Sequence, residues 1–382
     1  MSPLTALQQQ ILQSLQARFA QLPDVRQPGK VQHRLDEVLM IALCTLLCDG
    51  ESFVDMEDFA ETQLPWLRTF LPLQKGAPSH DVFRNVLLAL QPQSLLDILT
   101  SWCGSLAGKQ VAIDGKAMRG TYDAQKGRYT VHLMRAWVDA YSLSAGQALC
   151  AQKSNELEAI PRLLEALALQ GATVTIDAMG TQPPIAQQIH EAGADYVLAL
   201  KANQKSALEA VSAHFQQLSS GTLASSPPPS TTETLELSHG RCERRVYTLV
   251  DELDWFHKSW KWTGLQAVGQ VQRFIQRNSH EPLHEEVHYF LCSFKADVAR
   301  LAQLVRGHWS VENRCHWVLD VIFGEDHCQV RDAKGAHNLS LLREMTLKAL
   351  RSHPAKISLH RKRRRAALDA TFRTDLLALL HA

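Results

Sequence analysis

The order of strand-like and helix-like segments between residues 107 and 203 most constrains the fold of this chain. Three strand-like segments come first, and helix, strand, helix and strand follow: "QVAID", "RYTVHLMRAWVDA", "GQALCAQK", "SNELEAIPRLLEALALQG", "ATVTIDAMG", "QPPIAQQIHEAG" and "ADYVLALK". Strand segments rich in β-branched and aromatic residues that alternate with helices are typical of an α/β layer. We therefore predict an α/β fold whose opening strands form an antiparallel meander.

Two lone carboxylates follow strands of this layer, Asp114 in "VAIDGKAMRG" and Asp177 in "TVTIDAMG". A carboxylate at the end of a buried strand is costly unless it is paired or binds a metal, although an Asp-Gly pair is also common in ordinary turns. Ligand and catalytic residues of such sheets collect at the carboxyl ends of the strands. We expect the two aspartates to meet there, with Mg²⁺ between them to relieve their repulsion.

The helix predicted near residue 310 supplies a third acid. In "DVARLAQLVRGHWSVENRCHWVLDVIFG", Glu312 has His308 and His316 four residues on either side, so the three share one helix face. Three acids can hold two ions about 3.5–4 Å apart, the spacing that clamps the attacking and leaving oxygens in phosphodiester chemistry. Without the two aspartates, a surface glutamate or a helix ion pair would explain Glu312. The nearby histidines and cysteines match no structural zinc spacing.

The flanking segments differ in character from this layer. The N-terminal region has apolar residues at helical spacing, which predicts a plain helical bundle, with a helix-turn-helix as the alternative. A Ser/Pro/Thr-rich loop and several strand-like stretches follow the layer. We divide the chain into a helical N-terminal domain that is a candidate for DNA binding, a catalytic core in two parts, a β-rich insertion, and a basic tail with a helix: 1–106, 107–203 with 297–350, 204–296, and 351–382.

Net charge gives no sign of a nucleic-acid partner, because 40 Lys and Arg residues face 39 Asp and Glu residues, for a net charge of +1. A contact with DNA would therefore depend on local patches. The sharpest patch is a run of five cations, which is otherwise typical of a solvated segment: Arg361, Lys362, Arg363, Arg364 and Arg365. Three cations that follow the strand ends are candidate phosphate contacts or solvated loop residues: Lys116, Arg119 and Lys201.

Cysteine spacing and hydropathy predict a cytoplasmic protein. The eight cysteines are scattered and none forms a CxxC pair, which favours reduced thiols over a disulfide framework. The N-terminal stretch lacks the basic start and apolar block of a signal peptide. The longest apolar run, from Val38 to Cys48, covers 11 residues, so it is too short to span a membrane and predicts a buried helix.

Several long motifs resemble the H-repeat-associated insertion-sequence transposases of bacteria. The order of elements, with acids on the first strand, the fourth strand and the last helix, resembles the RNase H-like fold of DDE transposases and integrases. "HRLDEVLMIALCTLLCDGESF" and "PSHDVFRNVL" resemble the helical domain that precedes their core, and the resemblance runs from about residue 20 to 380. The core motifs are "AIDGKAMRG", "KSNELEAIPRLLEAL", "GATVTIDAMGTQ", "GADYVLALKANQ" and "RGHWSVENRCHWVLDVIFGEDHCQVR".

The resemblance implies a fold and a site. The fold would be α/β, an RNase H-like catalytic core with a β-rich insertion, preceded by an all-helical N-terminal domain. The catalytic and metal-binding residues would be Asp114, Asp177 and Glu312, holding two Mg²⁺ ions, with Mn²⁺ as a substitute. One departure concerns the Tyr, Arg and Lys that many related transposases carry around the third acid, at minus seven, minus four and plus seven: here these are Val305, His308 and Leu319.

The resemblance also implies a reaction and partners. A DDE-type transposase cuts double-stranded DNA at the transposon ends, which frees a 3′-OH, and transfers that strand into target DNA. Pairing two ends suggests a homodimer in the DNA complex, with no membrane involved. Two alternatives stay open: a catalytically silent DNA-binding relic or regulator of the same fold, and a metal-dependent RNase H-like nuclease that cuts without joining.

Overall fold

The computed structural model describes residues 5–123, 130–150, 156–223, 228–238, 241–276, 282–295 and 297–380. The N-terminal region is helical, as predicted: α1 (Ala6–Ala20), α2 (Leu35–Leu47), α3 (Phe53–Thr62), α4 (Leu64–Leu67), α5 (His80–Ala89) and α6 (Pro92–Thr100). The α/β layer follows in the predicted order: β1 (Gln110–Met118), β2 (Val131–Val138), β3 (Leu143–Cys150), α7 (Glu156–Glu165), β4 (Thr173–Ile176), α8 (Pro183–Glu191) and β5 (Asp195–Leu200).

The remainder of the chain adds four strands and then mostly helices. The strands and the helices among them are α9 (Lys205–Ser219), β6 (Ser230–Ser238), β7 (Arg241–Val250), α10 (Asp254–His257), β8 (Ala267–Gln276) and β9 (His284–Cys292). The last part is helical: α11 (Val298–Ser310), a π-helical segment (Val311–His316), α12 (Trp317–Phe323), α13 (Ala333–Ser352), α14 (Leu359–Leu368) and α15 (Ala370–Leu377).

The predicted β-rich insertion opens with a helix that the sequence interpretation did not assign. Residues 205–219 form this 15-residue helix, α9. Its buried residues Ala207, Val211 and Phe215 are spaced four apart, which is the periodicity of an amphipathic helix. The helical signal was therefore present in the sequence, but the Ser/Pro/Thr-rich stretch after it dominated the interpretation of the whole region.

The chain forms two compact units, and their boundaries differ from those of the predicted domains. The first unit contains Met1–Gly104, Gly115–Asn155 and Asn313–Ala382, and the second contains Ser105–Asp114 and Glu156–Glu312. Strand β1 therefore contributes residues to both. The N-terminal helices share a unit with the end of β1, with β2 and β3, and with the C-terminal helices.

The first unit is built around two buried helices. All 13 residues of α2 are buried, which agrees with the buried helix predicted from the apolar run 38–48. Helix α13 packs against α2, α5, α6 and β3. The side-chain amide of Asn338 in α13 donates to the carbonyls of Leu87 and Leu90 at 2.8 and 2.9 Å, which fastens α13 to the end of α5. The strand order here is β3-β2-β1, with β2 and β3 antiparallel.

The second unit is a sheet covered by helices, in the strand order β1-β4-β5-β9-β8-β7-β6. Strands β1, β4 and β5 run parallel, and the strands from β9 to β6 add on antiparallel to β5 and to one another. Helix α11 packs on β4, β5, β6 and β7 through a core that includes Leu301 and Tyr247. The fold is thus α/β and RNase H-like, and the strands of the predicted insertion extend its sheet. Within the described ranges, no helix has both the length and the apolar character needed to cross a bilayer.

Candidate metal centre

Strand register places the two aspartates side by side. Strands β1 and β4 pair in parallel, and their register ends with Ile113 opposite Ile176. The next residues are Asp114 and Asp177, and adjacent strands lie about 4.8 Å apart. Asp114 is half-buried and Asp177 is exposed. The two strands thus bring both carboxylates to the line where the parallel pairing of β1 with β4 stops.

The prediction that Asp114 ends its strand is corrected. Strand β1 continues to Met118, so Asp114 lies at its middle. Strand β1 also has β2 as a hydrogen-bonded neighbour, which sustains the extended backbone beyond the last residue that pairs with β4. Asp114 therefore lies where the pairing of β1 with β4 ends, and not where β1 itself ends.

Glu312 comes from a distant part of the chain and reaches Asp114. Each offers a carboxylate oxygen to a set of candidate metal-ligand atoms that lie within 4.8 Å of one another. Glu312 is exposed and sits in the π-helical segment Val311–His316, directly after α11. Local π-helical turns occur frequently at functional sites. Two of the three acids singled out in the sequence are thus in reach of a common cation, and carboxylate oxygens are the donors that Mg²⁺ and Mn²⁺ prefer.

Asp177 has a cationic neighbour within the same unit. The Lys201 ammonium donates to its carboxylate at 2.8 Å, and both side chains are 51% exposed. An ion pair this exposed contributes only about 0–1 kcal/mol. A divalent cation at the sheet edge would therefore replace Lys201 as the partner of Asp177 at little cost.

A polar clamp, which we define as Gln110, Thr175 and His308, fastens α11 to the sheet. The Gln110 amide donates to Thr175 Oγ1 at 3.0 Å and to the carbonyl of Leu304 at 2.8 Å. Thr175 Oγ1 also lies 2.9 Å from His308 Nδ1. Because His308 is four residues before Glu312, the clamp sets the position from which the π-helical segment presents the glutamate. The sequence interpretation missed it, although Gln110 and Thr175 are polar residues next to the apolar positions of β1 and β4.

Glycine at position 307 lets α11 come close to β1. A Cβ at Gly307 would run into Gln110 Oε1. The Gln110 side chain cannot swing away without giving up its bonds to Thr175 and Leu304. The glycine is therefore part of what allows the clamp to form.

The other cations predicted to follow the strands differ in exposure. In the first unit, the Lys116 ammonium is held between Asp320 and Asp326, and its side chain is 11% exposed. Burial raises the pKa of Asp320, and the Lys116 ammonium opposes that shift. Arg119 is 84% exposed and lies 3.7 Å from Asp326. Arg119 is therefore the more accessible of the two for a phosphate.

The basic run 361–365 is not the uniform exposed patch that the sequence predicted. In α14, Lys362 and Arg363 are buried. The Lys362 ammonium donates to the carbonyls of Leu350 and His353 at 2.6 and 2.8 Å, and the Arg363 guanidinium donates to the carbonyl of Leu46 at 3.0 Å. These two side chains face the interior of the first unit, whereas three of the five remain exposed: Arg361, Arg364 and Arg365.

Comparisons with known proteins find similarity to transposases. Residues 16–103 match the family described as "DDE_Tnp_1-associated", and residues 106–347 match "Transposase DDE domain". The "H repeat-associated putative transposase YhhI" of Escherichia coli strain K12 is 33% identical over 376 residues, 96% of this chain and 98% of that protein. The "Putative transposase YncI" of Escherichia coli O157:H7 is 32% identical over 374 residues, 96% of this chain and 95% of that protein.

A solved structure of the piggyBac transposase, a synaptic complex with hairpin DNA, aligns with 96% of this chain and 80% of its own, at a TM-score of 0.40 and 11% identity. The family match covers more than half of the chain, and the two curated relatives align with it almost end to end. The chain therefore belongs to the transposase DDE domain family.

Proposed function

We propose that this protein is a DDE-type transposase that cuts DNA at transposon ends and transfers the freed strand into target DNA. The proposed catalytic and metal-binding residues are Asp114, Asp177 and Glu312. The observation that carries the proposal is the approach of Glu312 to Asp114 within 4.8 Å, although the two lie in separate segments of the sequence. Family membership supports an enzyme of the transposase kind.

The proposed division of roles follows from exposure and register. Two bound Mg²⁺ ions would supply Lewis-acid activation of water and then of a 3′-OH. Asp114 and Glu312 bind from β1 and from the π-helical segment, and Asp177 binds from the end of β4. Lys201, displaced from Asp177, becomes available to a phosphate oxygen. The clamp keeps Glu312 in place. This matters for catalysis, because a misplacement of about 1 Å can lower the rate about a hundredfold.

The proposed partner is double-stranded DNA, bound in part by exposed cations. Arg361, Arg364 and Arg365 occupy the solvent side of α14, and Arg119 is exposed as well. Phosphate contacts of this type make affinity fall with salt, by about 0.9 log units per log unit of salt for each neutralised phosphate. A homodimer that pairs two DNA ends is part of the same proposal.

A cleavage and joining assay tests the proposal. Full-length protein is mixed with a labelled duplex carrying the inverted repeats that flank the coding region, a target plasmid, and Mg²⁺ or EDTA. We expect Mg²⁺-dependent cutting followed by transfer of label to the plasmid. Cutting without joining would identify a nuclease instead, and binding without cutting would identify a DNA-binding relic or regulator.

A further inference from the structure

A cleft of about 660 Å³ opens in the first unit, and its lining includes none of the three acids assigned above. It lies between the start of α3, α5, the segment 327–332 and α13. Apolar side chains form much of its lining: Phe53, Val54, Leu88, Val330 and Leu339. The volume is in the range of sites that hold drug-sized organic ligands and far exceeds what a small inorganic anion fills.

A buried guanidinium lies on the wall of this cleft. Arg343 of α13 is 1% exposed, and its Nε and Nη1 have no hydrogen-bond partner among the described residues. Leaving a buried donor unsatisfied costs about 1–3 kcal/mol, and more when the group is charged. An acceptor in the cleft, above all an anionic one, would remove this cost.

The carboxylate of Glu325 is buried in the same unit, but it does not meet these donors. Burial acts to raise the pKa of Glu325. The charge of Arg135 and, to a smaller extent, the charge of Arg343 outweigh burial and lower it. Both Glu325 oxygens accept from Arg135 Nη2 at 3.0 Å. Glu325 thus offsets part of the positive charge of Arg343, but its oxygens accept hydrogen bonds from Arg135.

The rim of the cleft carries charges of both signs, and several of them are engaged within the protein. Glu51 is engaged by Arg363 at 3.4 Å, and the Asp332 carboxylate caps α13 by accepting from the Gly335 amide at 2.9 Å. Arg331 is tied to Asp123 at 2.9 Å. Arg84 stays exposed at the rim. An anion entering the cleft would thus meet Arg84 first and Arg343 inside.

We propose that this cleft binds a backbone phosphate of DNA, with Arg343 on a phosphate oxygen and the attached nucleoside against the apolar wall. A guanidinium is the side chain best suited to a phosphate, because its planar donors match two oxygens. The apolar lining and the volume favour a phosphodiester with its nucleoside over a free anion. This inference rests on the proposed function for its choice of DNA as ligand.

DNA-binding measurements on single variants test the inference. The dissociation constant of a labelled 30-base-pair duplex is measured by fluorescence anisotropy across a salt series, without Mg²⁺. We expect Arg343→Gln and Arg84→Gln each to weaken binding, about tenfold for the buried arginine, and to reduce the salt slope by about one. Lys75→Gln, at an exposed position in the same unit that does not line the cleft, should match the wild type.

Two further readouts keep the outcomes separate. Thermal unfolding checks that Arg343→Gln is folded, and if it is not, the exposed Arg84→Gln carries the test. If both variants bind DNA with wild-type affinity and slope, the inference is overturned. It is equally overturned if inorganic phosphate raises the Tm of the wild type but not of Arg343→Gln while DNA binding is the same in both.

The inference and the proposed function can fail independently. DNA binding is measured without Mg²⁺, so failure of the wild type to cut DNA would contradict the proposed catalysis without affecting the result for the cleft. If the wild type cuts and joins DNA but the cleft variants bind DNA like the wild type, only the inference is contradicted.

Discussion

At the scale of single residues, the first unit contains a buried charge network that stabilises its interior. Arg135 of β2 and its acidic partners Glu325 and Glu344 are all fully buried. The Arg135 guanidinium lies 2.9 Å from Glu344 and 3.0 Å from Glu325, and it donates to Ser340 at 2.7 Å. A buried ion pair is costly to break, because removal of one partner leaves an uncompensated charge in a medium of low polarity.

Loss of Arg135 is therefore expected to destabilise the protein strongly. We predict that Arg135→Met lowers the free energy of unfolding by about 3–5 kcal/mol, measured by urea denaturation at neutral pH. The matched control is Arg119→Gln, because Arg119 is 84% exposed and its contact with Asp326 is 3.7 Å. That variant should stay within about 0.5 kcal/mol of the wild type. A similar loss in both variants would show that the network does not act as described.

The burial of His337 leads us to predict that the free energy of unfolding depends on pH. Burial lowers the pKa of His337 to about 4, and the charge of Arg135 acts in the same direction while Glu325 opposes it. Between about pH 6.5 and 4, the unfolded chain binds a proton at this position that the folded protein does not. His337 therefore does not reduce the free energy of unfolding above about pH 6.5, and the free energy of unfolding falls as the pH drops through this window.

The expected slope for this single group approaches about 1.4 kcal/mol per pH unit within the window. We predict that His337→Leu gives a flatter curve of unfolding free energy against pH than the wild type. Urea titrations at half-unit steps from pH 7 to 4 measure the difference. Substitution of the exposed His360 by Gln serves as the control and should leave the curve parallel to that of the wild type. Parallel curves for His337→Leu would contradict the assignment.

At the scale of elements, the approach of α11 to β1 decides where Glu312 lies. The Gly307 backbone leaves room for Gln110, whose amide joins Thr175 to the Leu304 carbonyl. We predict that Gly307→Ala destabilises the fold by about 1–3 kcal/mol, because the added methyl group must displace Gln110. The sign is opposite to that of Gly→Ala at an uncrowded helix position, where the change stabilises the helix by about 0.5–1 kcal/mol.

A double-mutant cycle separates crowding from other effects of the methyl group. Gln110→Ala removes the side chain that the new Cβ meets, so Gly307→Ala should cost less in that background than in the wild type. The coupling measured from urea unfolding is expected to be about 0.5–3 kcal/mol, the range for residues in contact. Additive losses in the double variant would mean that the clash does not govern this interface.

Elements were predictable from sequence where one face is clearly apolar. The order of β1 to β5 with α7 and α8, and the buried helix α2, followed from periodicity. The clamp did not, because polar residues such as Gln110 and Thr175 find partners only in three dimensions. In α14, nothing in the sequence distinguishes the cations that point inward, because the long stems of Lys and Arg can pack like apolar side chains.

At the scale of the whole molecule, the five cations of α14 divide into two buried and three exposed side chains. The buried Arg363 joins the end of α2, through the Leu46 carbonyl, to Asp49 at 3.0 Å and to the carbonyl of Ile322. The proposed DNA contacts are the exposed three: Arg361, Arg364 and Arg365. Stability and DNA affinity should therefore respond to different substitutions within one short helix.

The triple variant Arg361→Gln, Arg364→Gln, Arg365→Gln is predicted to keep the wild-type Tm within a few degrees. Its salt slope for duplex binding should fall by up to about 3, or by about one for each phosphate that the variant no longer neutralises. Arg363→Met is the matched comparison, and it should lower the Tm because it leaves carboxylate and carbonyl partners unmatched. Anisotropy across a salt series and thermal unfolding measure the two effects. A triple variant that binds DNA like the wild type would remove α14 from the proposed interface.

The central claim is that three acids from separate segments act together on DNA through a divalent metal. The most direct measurement is the rate of Mg²⁺-dependent cutting of end-repeat DNA by Asp114→Asn, Asp177→Asn and Glu312→Gln, with the DNA dissociation constant measured in parallel. Glu191→Gln, an exposed acid at the end of α8, is the control. We expect each of the three variants to bind DNA like the wild type and to cut none, and we expect the control to do both. Normal cutting by any one of the three would contradict it.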